Sequence, residues 1–178
     1  MTDARRGGDD GIAACVLPAE ALLGAYRDIG YTDCYVTTIG RAVSHTEYVE
    51  AFYTTLPFRL ERLILKWSVG KPSTDANVRD LATGTADAFA AWDVEGRATD
   101  QLLLRDTGQR TRSWLMVAPT GNETGRGTRL YFGSAVVPRR HKQEVRTSLG
   151  FVFTALLGFH KLYSRILLCA ARRSLAAR

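Results

Sequence analysis

The chain has 178 residues, 46% of them apolar and 24% charged, with 5 Pro and 16 Gly. That describes an ordinary globular domain with enough chain for one sizeable core, and it excludes collagen-like, disordered and disulfide-framework classes. The net charge of +6 is polarised: residues 1–106 hold 16 acids against 11 bases, residues 107–178 only 2 acids against 13 bases. A functional reading has to account for that basic rear half.

Residues 1–14 contain an Arg5-Arg6 pair followed by an acidic, glycine-rich stretch. The apolar run at 12–17 is too short for a signal peptide core. They read as a flexible tail before a single domain over 15–178. Cys15, Cys34 and Cys169 are odd in number, widely spaced and without a C-x-x-C. They read as reduced thiols of a cytoplasmic protein, neither a disulfide scaffold nor a zinc site.

Residues 18–27 suit a short helical lead-in, although Gly24 opposes it. Residues 33–39 are rich in β-formers and close at Gly40, as a strand does. Ser44 and Glu47 fit a capping box opening a helix through Tyr48, Val49, Phe52 and Tyr53, which Pro57 ends. A second helix is expected over 58–69, from Leu60, Leu63, Ile64 and Trp67, with Gly70 and Pro72 as its stop. Residues 74–84 are polar and read as a connection holding at most a helical turn.

Four strands are then expected at 88–94, 99–106, 111–118 and 127–137, with turns at Gly96-Arg97, at 107–109 and at 119–126. The short connections allow only an antiparallel meander. Residues 143–171 form the last element, a helix about 44 Å long, against a radius of gyration of roughly 16 Å for a compact chain of this size. Such a helix must lie across the sheet. Its stretch 149–168 is not a membrane span, because Lys161 and Arg165 each cost about 2.5–3.5 kcal/mol near a bilayer centre. The fold class is therefore α+β, with an antiparallel sheet wrapped around a long C-terminal helix, an arrangement that commonly leaves a cavity between the two.

Four phrases carry a resemblance: Phe52-Tyr-Thr-Thr-Leu-Pro-Phe-Arg-Leu-Glu-Arg62, Arg110-Thr-Arg-Ser-Trp-Leu-Met116, Leu130-Tyr-Phe-Gly-Ser-Ala-Val-Val-Pro138 and Leu157-Gly-Phe-His-Lys-Leu-Tyr-Ser164. Over about residues 30–171 the chain resembles the bacterial domain-of-unknown-function family numbered 2867, placed with the START-like (SRPBCC) helix-grip superfamily. The resemblance implies a helix-grip fold. It implies no single activity, since that superfamily includes lipid and hormone carriers, polyketide cyclases and hydrolase-like enzymes.

In such a cavity the candidate ligand-binding residues are Trp92, Arg112, Trp114, Phe132 and His160. Arg112 and Trp114 share a strand face, where an arginine beside a tryptophan could hold an anionic group against an aromatic floor. The alternative is Arg112 turned outward with Trp114 as plain core. His160 lies on the long helix and could face ligand, or be a satisfied or surface histidine. Glu61 could be a buried general base, or belong to a solvated helix face. His45, His141 and His160 lack any metal-ligand spacing, and residues 121–127 lack the G-K-[ST] of a phosphate loop.

Three functions follow as expectations. The first is binding of a small hydrophobic or amphipathic molecule in the cavity, without cofactor, metal or nucleic acid. The second is an enzyme on the same scaffold, a cyclase, isomerase or hydrolase. The third is a basic-surface module for nucleic acid or anionic membrane, which the scattered placement of the bases disfavours.

Overall fold

A computed structural model of the chain describes residues 11–56, 58, 74–121, 126–137 and 149–178, with side chains in the last segment from 161 onward. The strands are β1 (Ala13–Ala14), β2 (Tyr31–Ile39), β3 (Ala88–Phe89), β4 (Trp92–Ala98), β5 (Gln101–Asp106), β6 (Thr111–Pro119) and β7 (Thr128–Val136). The described α-helices are α1 (His45–Tyr53), α2 (Asp75–Thr83) and α3 (Leu149–Ala176), and a 3₁₀-helix covers Leu22–Tyr26. The architecture is α+β: one seven-stranded antiparallel sheet in the order β1-β2-β7-β6-β5-β4-β3, with a long C-terminal helix.

Local chemistry explains most of these elements. At the start of α1 the Ser44 hydroxyl accepts from Glu47 N–H at 3.2 Å, and the Glu47 carboxylate accepts from Ser44 N–H at 2.9 Å. The expected capping box is present. Residues 74–84 form more than the expected turn. Thr74 and Asn77 make a second reciprocal cap, and Gly84 closes α2 at φ 81°. Val78, Leu81 and Ala82, on one side of α2, are buried. The short amide of Asn77 replaces the usual Glu or Gln, which is why the sequence signal is weak.

The strands from β3 to β7 pair antiparallel in sequence order, as expected, with two differences. Ala90 takes φ 53° and divides the expected 88–94 strand into β3 and β4. Gly96 sits at a bulge within β4, where the register jumps between Val94 and Gly96, so the turn falls after Ala98. The 18–27 lead-in contributes only the 3₁₀-helix. Ala13 and Ala14, assigned to the tail by sequence, pair with Val36 and Tyr35. The 58–69 helix, apart from Phe58, and the start of the 143–171 helix lie outside the described residues.

Both faces of the sheet are buried. On one, the cross-strand row Tyr35, Phe132, Leu115 and Leu102 packs under Phe52 of α1, Leu81 of α2 and Leu167, Leu168, Ala171 and Leu175 of α3. On the other, Cys34, Leu103, Trp114, Met116 and Tyr131 lie against Ala21 and Leu23. Two apolar coverings explain the unbroken run Leu102-Leu103-Leu104, all of it buried. Gly133 marks the closest approach. A Cβ there would stand 2.7 Å from Leu23 Cδ2, 2.9 Å from Asp33 O and 2.9 Å from Trp114 Cε3.

Several basic residues join the layers. Arg41 Nη2 donates to Leu175 O at 3.0 Å, Arg172 Nε to Thr38 O at 3.0 Å and Arg165 Nη2 to Ile12 O at 3.1 Å. Part of the basic rear half is thus spent docking α3 onto β2 and the N-terminal segment. No helix of the described residues is long and apolar enough to cross a membrane.

Candidate functional site

A cavity of about 390 Å³ opens between α3 and the end of the sheet where the start of β4, the β5–β6 turn, β6 and β7 meet. Its apolar wall consists chiefly of Phe52, Phe58, Trp92, Phe132, Tyr163 and Leu167. The first turn beyond α1 sets the aromatic corner. The Phe52 ring lies 4.8 Å from that of Phe132, and Phe58 packs edge-on against Tyr53 at 4.7 Å. Tyr163 and Leu167, four apart, present one side of α3 to the same space.

The polar part of the wall comes from strand register. Ser113 and Ser134 are direct cross-strand partners, and Ser134 is also opposite Asp33. Residues paired in this way share a face, so β6 and β7 contribute Ser113 and Ser134 as a short polar row beneath the aromatic corner, with Asp33 of β2 behind Ser134. The Ser134 hydroxyl donates to Asp33 Oδ1 at 2.5 Å, and Ser113 Oγ lies 3.2 Å from Tyr53 Oη. Two further polar atoms have no hydrogen-bond partner among the described residues: Ser164 Oγ and Trp92 Nε1. Both are buried, and both residues line the cavity. At the mouth, Asp106 Oδ1 accepts from the backbone N–H of Arg110 and Thr111 at 2.6 and 2.7 Å, which closes the β5–β6 turn.

Of the five residues expected to bind ligand, Trp92, Arg112 and Phe132 border the cavity. Arg112 borders it from the start of β6, while its guanidinium turns to the opposite face of the sheet. There its Nε lies 2.7 Å from Glu95 Oε2 and 2.9 Å from Tyr26 Oη, and its guanidinium carbon sits 4.6 Å over the Tyr26 ring. Tyr26 also donates to Glu95, so the three side chains form one closed cluster. Burial and the Glu95 carboxylate raise the Tyr26 phenol above its ordinary pKa, against the opposing effect of Arg112. Trp114 is fully buried on that same face, and its indole N–H donates to Gln101 Oε1 at 2.9 Å. Trp114 is therefore core, and the Arg112 guanidinium points away from the cavity but is buried rather than outward in solvent. The His160 side chain, Glu61 and His141 lie outside the described residues.

His45 occupies the first turn of α1, as the capping box places it, with 9% of its surface exposed. Burial pulls its pKa down to about 4, against a hydrogen bond to the Leu115 backbone that favours the protonated ring. Among the described residues no group of three or more His, Cys, Asp or Glu is arranged to hold a metal.

Sequence reasoning missed Ser113, Ser134, Tyr163 and Ser164 as wall residues. Two of these had a usable signal. Ser113 alternates with Arg112, so fixing one face fixes the other, and Ser164 is a hydroxyl within an otherwise apolar helical stretch. Comparison with family models, with curated proteins and with solved structures found no match to this chain.

Proposed function

We propose that this chain is a helix-grip domain of the START-like kind, akin to the family its four phrases resemble. In this reading it binds a small hydrophobic or amphipathic molecule carrying at least one acceptor oxygen. The observation that carries the reading is the pair of buried, unpartnered donors, Ser164 Oγ and Trp92 Nε1, in one aromatic-walled cavity. A buried donor without a partner costs about 1–3 kcal/mol. A ligand carbonyl or hydroxyl would relieve that cost while its apolar body lies against Phe52, Phe132 and Leu167. A volume of about 390 Å³ suits a compact molecule, since ligand cavities run from about 300 to 1,000 Å³.

Carriage is favoured over catalysis by the carboxylates at the described wall. Asp106, which lines the cavity, is taken up by two backbone donors, and Asp33, behind the wall, by Ser134. A basic-surface module is disfavoured because Arg41, Arg165 and Arg172 donate to backbone carbonyls of the domain itself.

The test is a melting-temperature screen of the full chain against fatty acids, sterols and aromatic polyketides, followed by titration on tryptophan fluorescence. Saturable binding that is weakened in Trp92→Phe is the expected result. No shift with any class, or shifts insensitive to both Trp92→Phe and Phe132→Ala, would overturn the reading.

A further inference from the structure

Two of the three cysteines meet at the β1–β2 edge. The register Ala13↔Val36 and Ala14↔Tyr35, continued by one residue, sets Cys15 opposite Cys34, and Cys15 N–H donates to Cys34 O at 2.9 Å. The two Sγ atoms are 2.8 Å apart. Directly opposed antiparallel residues have Cα atoms about 4.5–5.5 Å apart, inside the range of about 4.4–6.8 Å found for disulfides. The backbone therefore already stands where a bridge needs it.

The surroundings differ for the two thiols. Cys34 is 4% exposed and packs with Trp114 and Ala135, whereas Cys15 is partly exposed. Both border an open groove that also takes in Tyr31, Asp33, Lys161 and Arg165. Lys161 and Arg165 outnumber the Asp33 carboxylate in that groove, which favours an anionic reaction partner. The hydrogen bond from Cys34 pulls the Cys15 thiol below its ordinary pKa despite partial burial, and the same contact, with burial, pushes Cys34 up.

We propose that Cys15 and Cys34 form a redox-active dithiol, converted to a disulfide by an anionic low-molecular-weight disulfide such as glutathione disulfide. The Cys15 thiolate attacks one sulfur of the reagent, its S–S bond breaks, and one glutathione thiolate leaves. The Cys34 thiol then passes its proton to solvent and attacks Cys15 Sγ. The mixed disulfide breaks, and a second glutathione thiolate leaves. The protein dithiol is oxidised by two electrons and the reagent is reduced to two thiols. The new bond ties the N-terminal segment that covers Trp114 to β2, alongside the Arg165 contact with Ile12.

The experiment equilibrates the dilute full chain in glutathione buffers from reducing to oxidising, quenches with acid, alkylates with a maleimide and maps peptides by mass. The expected result is three labelled cysteines under reducing conditions and one, Cys169, under oxidising conditions. The peptides of Cys15 and Cys34 are then linked and lighter by two hydrogens. In Cys34→Ser a glutathione adduct is expected to accumulate on Cys15. Labelling of all three cysteines at every ratio, or a link to Cys169 or between chains, would overturn the proposal. These outcomes are read on the unsubstituted chain, so the result stands even where the variant folds poorly.

Discussion

Arg112 and Glu95 meet on the face of the sheet that the cavity does not use, with Nε 2.7 Å from Oε2 and side-chain exposures of 9% and 21%. Removing one member of a buried ion pair leaves the other desolvated and unpaired, which costs about 3–5 kcal/mol. Partial exposure of Glu95 places Arg112→Ala toward the lower end, near 3 kcal/mol. Urea unfolding of the variant should show that loss with an unchanged slope, and ligand affinity in the folded protein should stay as it was. An Arg112 that held an anionic ligand would behave in the opposite way.

Gly133→Ala should be among the most damaging small substitutions. The added methyl meets Leu23 Cδ2, Asp33 O and Trp114 Cε3, all within 2.9 Å, and the carbonyl has no rotamer to yield with. Overpacking of this kind costs about 1–3 kcal/mol. The melting temperature should fall accordingly. A variant as stable as the parent would mean that the Leu23 segment lifts readily from the sheet.

What the sequence revealed followed the reach of the interactions involved. The Ser44–Glu47 box and the turn at 107–109 depend on neighbours within a few residues, and both were legible. The pairing of β2 with β7 joins residues about a hundred apart, and no local pattern specifies it. The direction of Arg112 was ambiguous for a different reason. Alternation assigns residues to faces but cannot say which face is inside when both are apolar, and the covering of the second face by Ala21 and Leu23 comes from a segment with little periodicity of its own. Cys15 and Cys34 show the same limit. Odd number and wide spacing argue against a disulfide framework, yet strand pairing brings the two sulfurs together.

His45 gives the domain a defined pH dependence. It is neutral in the folded state, with a pKa lowered by burial to about 4, and its ordinary value is 6.5. Between those two values the unfolded chain binds the extra proton, so stability rises with pH across that window and falls as pH drops through it. The difference amounts to on the order of 3 kcal/mol between the two limits. A cation in the first turn of α1 would also oppose the helix dipole. Urea midpoints measured from pH 4 to pH 7 should climb for the parent and climb much less for His45→Gln. Parallel curves would place the titrating group elsewhere.

Ser164 separates the cavity from the core beside it. Its side chain is 1% exposed and its hydroxyl lacks a partner among the described residues, while Leu168, one turn on, is fully buried in the core. Leu168→Ala should cost about 2–5 kcal/mol. Ser164→Ala removes an unsatisfied hydroxyl and improves helix propensity, so the unliganded domain should be unchanged or steadier by up to about 1 kcal/mol. Ligand binding should respond the other way and weaken by roughly 1 kcal/mol, the net worth of one hydrogen bond. Melting curves of Ser164→Ala with and without ligand test both halves together. A loss of stability without ligand would show that the hydroxyl is bonded within the fold, and the cavity would then have to find its polar anchor at Trp92.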